Sequence, residues 1–200
     1  MSKSAAINTI IGTISHSETV LDGGTPKTTV IIPHKFWTGR KPVTTDYRFT
    51  FHKVSENYQF AYQEGVLVKV DFKILRKKGE YEYNLEPVSL RALGQAFEGY
   101  TSSFAINRIS GPIIGTKEKQ HKGAPFFQIS VPLEYDKGNE SETTWLNFTY
   151  WDVSEKQKFL YNKYNSVTID YNLFNKGNKY DIRQNGHINL HTIMKKKETA

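Results

Sequence analysis

Apolar and polar side chains alternate with a period of two along most of this chain, which predicts strands rather than long helices. In residues 145–151, Leu146, Phe148 and Tyr150 fall on one face, and Trp145, Asn147, Thr149 and Trp151 fall on the other. The first set can enter a core. The second places two tryptophans on a non-core face, where their presence needs a functional reason. A second stripe follows, with Val167, Ile169, Tyr171 and Leu173 inward and Thr168, Asp170, Asn172 and Phe174 outward. Between the two runs, residues 153–163 lose the alternation. Ser154 precedes Glu155 as a helix N-cap, and Phe159 and Leu160 share one side of a short helix.

The same pattern stands 99 residues earlier, and without a gap Gly24, Pro26, Pro33, Phe49, Val54, Ser55, Glu56, Tyr62 and Asp71 recur at Gly123, Pro125, Pro132, Phe148, Val153, Ser154, Glu155, Tyr161 and Asp170. The chain reads as a duplication, with domains at 5–94 and 104–194 and a linker at 94–103. Each copy begins with a strand carrying a glycine, Gly12 or Gly111, at a place where a coiled barrel strand needs a bend or bulge. Loops are expected at 15–26 and 116–125. Val30 and Ile32, like Ile129 and Val131, face a core in the second strand, which Pro33 or Pro132 ends. Polar excursions at 34–43 and 133–142 separate it from the third strand. Hairpin tips and closing strands at 87–93 and 187–193 complete each copy. The order strand, strand, strand, helix, strand, strand is that of the OB-fold. The fold class expected is all-β with short helices, as two tandem five-stranded OB-fold barrels.

With 200 residues in two copies, each domain has roughly 90 to 100 residues, enough for one small barrel to bury its own core. The chain has no cysteine and no run of 18 apolar residues, so neither disulfides nor a membrane span is expected, and the cytoplasm is the expected compartment. A net charge of +7 favours a polyanionic partner, though lysines that merely keep a protein soluble give the same balance. Catalysis finds no support in the residues. His187 and His191 are four apart, but on a strand that is roughly 13 Å, too far to share a metal ion. Neither a phosphate loop nor a nucleophile elbow is present. The expectation is a binding protein with no enzymatic activity, cofactor, metal or small-molecule substrate.

Trp145 with the run LNFTYW, a helix, a turn, VTIDYNLF and a glycine hairpin together resemble the bacterial single-stranded DNA-binding protein family. That family carries an aromatic at the start of the third strand, another six residues on and one past the fourth. Trp145, Trp151 and Phe174 fall at those places. The resemblance implies single-stranded DNA as the partner, bound without sequence preference in replication or recombination. Unpaired bases offer apolar faces, and aromatic rings on a barrel surface hold each by about 1 to 3 kcal/mol while lysines follow the phosphates. Phe126 is outward on the second strand by the same parity, and Asn147 lies between the tryptophans. In the first copy the matching row is Asp46, Arg48, Thr50 and His52, with no aromatic. There the candidates are Phe36, Trp37, Arg40 and Lys41 in the excursion, Arg48 on the row, and Lys69, Lys73, Arg76 and Lys77 along the fourth strand and its exit. A solvated edge guarded by lysines is the competing explanation for the last group.

Two features depart from the family. The turn before the fourth strand is Tyr164–Asn165 in place of a Lys-Gly pair, and the sequence closes on MKKKETA rather than an acidic, Phe-ended tail. These point to a specialised phage or mobile-element role. Duplicated members reach four barrels by pairing two chains, which implies a homodimer here, with a monomer as the alternative. Other functions of the same fold stay open: an RNA- or protein-binding module of a conjugation or recombination complex, or a sugar-binding β-domain.

Overall fold

In the computed structural model, residues 4–39, 41–76, 79–97, 102–137, 140–185 and 188–192 are described. They form two compact units. The N unit comprises Asn8–Ile106 together with Leu173–Asp181; the C unit comprises Met1–Ile7, Asn107–Asn172 and Ile182–Ala200. The exchange of Met1–Ile7 and Leu173–Asp181 between copies is not visible in the repeat pattern.

In the first copy the strands are β1 (Ala5–Thr13), β2 (His16–Asp22), β3 (Thr25–Thr38), β4 (Lys41–His52), β5 (Val66–Leu75) and β6 (Asn84–Gln95), with a 3-10 helix at Glu56–Tyr62 between β4 and β5. Strands β2, β3 and β4 form an antiparallel meander, and β5 pairs with both β1 and β6. Alternation sends Val30 and Ile32 from β3, Tyr47 and Phe49 from β4, and Val68, Val70 and Phe72 from β5 into one interior. Rings interlock there, Phe49 lying 5.2 Å and Tyr47 5.8 Å from Phe72. Each such buried side chain contributes about 1.5 to 3 kcal/mol through the hydrophobic effect.

The second copy continues with β7 (Phe104–Pro112), β8 (Gly115–His121), β9 (Ala124–Lys137), β10 (Glu140–Trp151), helix α1 (Glu155–Lys158), a 3-10 turn at Phe159–Tyr161, β11 (Ser166–Lys176), β12 (Lys179–Gln184) and β13 (Asn189–Thr192). β8, β9 and β10 form a meander, and β11 pairs with β7, β12 and β13. Its core takes Ile109 and, as the alternation leads one to expect, Ile129, Val131, Leu146, Phe148, Val167, Ile169 and Tyr171. The bounds of β1 to β4 recur at β7 to β10 with the 99-residue shift, as in Thr25–Thr38 and Ala124–Lys137.

Four local expectations change. Residues 15–26 and 116–125 are not simple loops but contain β2 and β8. These strands are exposed along most of their length, so no apolar stripe marks them, and pairing with β3 or β9 holds them. The segments at 34–43 and 133–142 are extensions of hairpins: the β3–β4 ladder continues through His34 opposite Thr45 to Thr38 opposite Lys41. The helix expected at 153–163 is one α-turn followed by a 3-10 turn, and in the first copy it is wholly 3-10. Ser154 still starts it: its backbone N–H donates to Gln157 Oε1 at 3.1 Å. Gly12 is needed for closeness rather than for a bend, because a Cβ there would stand 2.7 Å from Ile32 Cγ2.

Candidate nucleic-acid interface

The outward face of β8–β9–β10 is a grid fixed by strand register. Trp151 lies beside Phe126, which lies beside Lys119; Thr149, Gln128 and Lys117 form the next row, then Asn147, Ser130 and Gly115, and Trp145 lies beside Pro132. Inward packing of Leu146, Phe148 and Tyr150 forces this arrangement, since their neighbours along the strand must point the other way. Trp145 is 39% and Trp151 48% exposed, large values for side chains with so much apolar area.

At one end of the grid the Trp151 and Phe126 rings meet at 4.9 Å with a 42° tilt, and the His121 ring stands edge-on to Trp151 at 6.3 Å. Trp145 stands at the other end, about 20 Å away along the strand at ~3.3 Å per residue. Polar groups fill the space between. Ser130 Oγ donates to Asn147 Oδ1 at 2.6 Å, and Lys119 Nζ donates to Gln128 Oε1 at 3.1 Å. Glu118, whose carboxylate could cancel these lysines, points to the opposite side and pairs with Lys158 at 3.2 Å. This face thus offers two separated aromatic platforms with ammonium groups on the flanking strand. Lys117, Lys119 and His121 were missed in the sequence because β8 was read as a loop; the alternating lysines ahead of the Lys122–Gly123 turn were the available signal.

Phe174 belongs to the N unit and meets Phe36 edge-on at 5.3 Å, and His34 stacks on Phe36 at 5.6 Å. Trp37 is 66% exposed near the end of β3, and Lys41 is exposed at the start of β4. Arg40 and Lys77 lie outside the described residues.

Lys69 on β5 and Arg76 just past its end engage neighbours within the N unit. Lys69 Nζ lies 3.2 Å from Asp71 Oδ2, and Arg76 covers the Tyr83 ring at 5.4 Å. Partial burial pushes the Asp71 carboxyl up, but hydrogen bonds from Thr9, Lys69 and Ser89 and the Lys69 charge outweigh it and hold the group below the usual range. Arg48, exposed on β4, shares the outward face with Thr50, His52, Thr29 and Lys27. Thr29 and Thr50 hydroxyls bond to each other at 3.1 Å, and Lys27 is ion-paired to Asp22. No Phe, Tyr or Trp side chain stands among these residues.

Among the described residues there is no cluster of three or more His, Cys, Asp or Glu placed to hold a metal ion, and no helix long and apolar enough to cross a membrane.

No protein-family model matches the chain, and no curated protein does. Among solved structures, it is similar to a deletion variant of the single-stranded DNA-binding protein from Thermus aquaticus, with a TM-score of 0.63 at 15% identity, covering 99% of this chain and 100% of that one. The wild-type form of that protein gives a TM-score of 0.61 at 13% identity, over 96% and 95% of the two chains. The likeness establishes the fold: an all-β protein built on the OB-fold.

Proposed function

We propose that this protein binds single-stranded DNA without sequence specificity, through the outward face of β8, β9 and β10. The observation that carries the reading is the Trp151–Phe126 ring pair with Lys119 beside it and Trp145 at the far end of the same face. Stacked bases need a ring held rigidly from behind, and Trp151 is held by Phe126. Backbone phosphates need nearby cations, and Lys117 and Lys119 lie on the adjoining strand. The likeness to the Thermus aquaticus protein, whose name states the same ligand, supports the reading.

In this reading the two domains are OB-folds at about 5–94 and 104–194, two chains pair to present four barrels, and the protein shields single strands in replication or recombination. The phage or mobile-element setting rests on the departure at Tyr164–Asn165. Titrating tryptophan fluorescence with poly(dT), poly(U) and duplex DNA at several salt concentrations tests the ligand. Strong quenching by poly(dT), weak response to duplex and affinity falling steeply with salt are expected. Salt-independent binding, or equal affinity for duplex, would remove single-stranded DNA from consideration. Sedimentation of the protein alone at micromolar concentration tests the dimer, which a single 23.0 kDa species would refute.

A further inference from the structure

The N unit holds a cleft of about 860 Å³ on the face where the C unit carries its tryptophans. Arg48, Thr50 and His52 of β4 line one side, Asn84 and Glu86 of β6 another, and Asn178, in the turn between β11 and β12, closes it. Its size is in the range that holds small organic groups such as a nucleotide. Two aromatic rings touch it, and both are engaged elsewhere. Phe51 lies edge-on to Tyr62 at 4.9 Å, and buried Tyr180 donates its hydroxyl proton to Asp46 O at 2.8 Å while accepting from the Arg48 N–H at 2.7 Å. Beside the apolar side chains of Leu75, Leu85 and Pro87, the cleft presents a guanidinium, an imidazole, two carboxamides, hydroxyls and one carboxylate.

The wall carrying Asn178 is built in. Tyr180 and Tyr83 exchange backbone hydrogen bonds at 2.8 Å each way, Lys179 pairs with Glu80 at 3.0 Å, and the Asn175 N–H donates to Thr45 Oγ1 at 2.9 Å. Residues Leu173–Asp181 thus belong to the N unit in packing although they come from the second copy in sequence. A first copy cut at residue 94 lacks this wall.

We infer that this cleft reads the edge of an unstacked base by hydrogen bonding, and that it favours bases bearing an exocyclic amino group over thymine. The inference rests on the single-stranded DNA reading above and extends it to a second, chemically different subsite. A site meant only for phosphate has no use for the Glu86 carboxylate, which repels it. A carboxylate opposite a guanidinium and two amides matches an edge carrying both a donor and acceptors, and cytosine supplies both: an amino donor beside ring and carbonyl acceptors. Thymine also carries a donor, its ring N3–H, but it presents a carbonyl oxygen where cytosine presents its amino group, and a carboxylate facing that position repels it. Stacking on Trp145 and Trp151 tolerates every base, so a preference set by hydrogen bonding to Glu86 and Asn178 is separable from it by substitution.

The test compares oligo(dC) and oligo(dT) of equal length, followed by tryptophan fluorescence, for the wild-type chain, Glu86→Gln, Asn178→Ala and Trp151→Ala. The expected wild-type preference for oligo(dC) is about tenfold, corresponding to about 1.4 kcal/mol. Glu86→Gln and Asn178→Ala are expected to bring the ratio toward one, whereas Trp151→Ala weakens both ligands in proportion and keeps it. Equal wild-type affinity for the two oligonucleotides, or a preference that survives in both cleft variants with unchanged circular dichroism, overturns the inference and leaves the tryptophan site standing. Failure of the wild-type chain to bind either oligonucleotide overturns the parent reading as well.

Discussion

The two units carry the same ladder and opposite chemistry on it. At equivalent positions 99 residues apart the C unit has Trp151, Phe126, Trp145 and Asn147 where the N unit has His52, Lys27, Asp46 and Arg48. The inward positions changed far less. Phe49 and Phe148, Val30 and Ile129, Ile32 and Val131, and Val68 and Val167 are all buried and all apolar. Close packing explains the contrast: a core tolerates only residues of similar volume, whereas an outward side chain meets no such limit. The inner faces therefore preserve the fold in both copies, and the outer faces are free to divide the work.

The most damaging way to break this comparison is to remove the platform itself. Trp151→Ala and Trp145→Ala should each weaken single-stranded DNA binding by about 1 to 3 kcal/mol, while His52→Ala on the matching position costs less. Fluorescence or anisotropy titration with a labelled oligo(dT) measures all three. Loss of binding only in His52→Ala would move the dominant contact to the N unit. An unfolded Trp151→Ala protein would instead show that the exposed ring supports the fold.

A sharper version converts one face into the other. The double substitution Lys27→Phe and His52→Trp places in the N unit the ring pair that Phe126 and Trp151 form, at positions that are register partners on β3 and β4. One added stacked base is worth at least about 1 kcal/mol, partly offset by the loss of the Lys27 charge. The gain should therefore be clearest at high salt, where charge contributes least. No gain at any salt concentration would mean that backbone geometry, rather than residue type, disables this face.

How far the sequence alone led follows from the same contrast. Core stripes announce themselves because apolar residues recur every second position, and Val167 to Leu173 could be placed without coordinates. β2 and β8 could not, because a strand exposed on both sides has no such period; Lys117 and Lys119 were lost with it. The outward placement of Trp145, Trp151 and Phe126 follows from parity alone. The position of Phe174 against Phe36 does not, since it depends on the tip of β11 packing with a unit of the other copy, a long-range choice that no local period encodes.

The copies should also respond differently to acid. His34 in β3 is buried, stacked on Phe36 and bonded through Nδ1 to Ser103 Oγ at 3.0 Å, while its counterpart in the C unit is the buried, non-titrating Leu133. Burial disfavours the imidazolium and holds the His34 pKa below its usual 6.5. The unfolded chain therefore takes up a proton at higher pH than the folded one. This part of the stability is fully present above pH 6.5 and is lost as pH falls toward the folded pKa. Urea unfolding from pH 7.5 to 5 should show that decline, and His34→Leu should flatten it by copying the C unit. An equal decline in the variant would assign the acid sensitivity to other groups.

The smallest difference lies beneath the Trp151 platform. Tyr150 packs its ring on Tyr161 at 4.8 Å, as Phe51 does on Tyr62 at 4.9 Å, but Tyr150 is buried whereas Phe51 is half-buried and touches the N-unit cleft. The Tyr150 hydroxyl is buried and meets no protein partner among the described residues, and burial, with Tyr161 adding to it, pushes its pKa far above the usual range. It stays neutral at every working pH, so its cost is desolvation rather than charge. A buried polar group without a partner costs about 1 to 3 kcal/mol, whereas a phenyl ring fills the same space without that cost. Tyr150→Phe should therefore stabilise the C unit by up to about 1 kcal/mol, whereas Phe51→Tyr, whose hydroxyl borders the open cleft, should change the N unit by less. Urea midpoints measured at constant slope read both changes. A loss of stability in Tyr150→Phe would show that the hydroxyl is satisfied in solution, with water as its partner, and that the two sites differ in hydration rather than in cost.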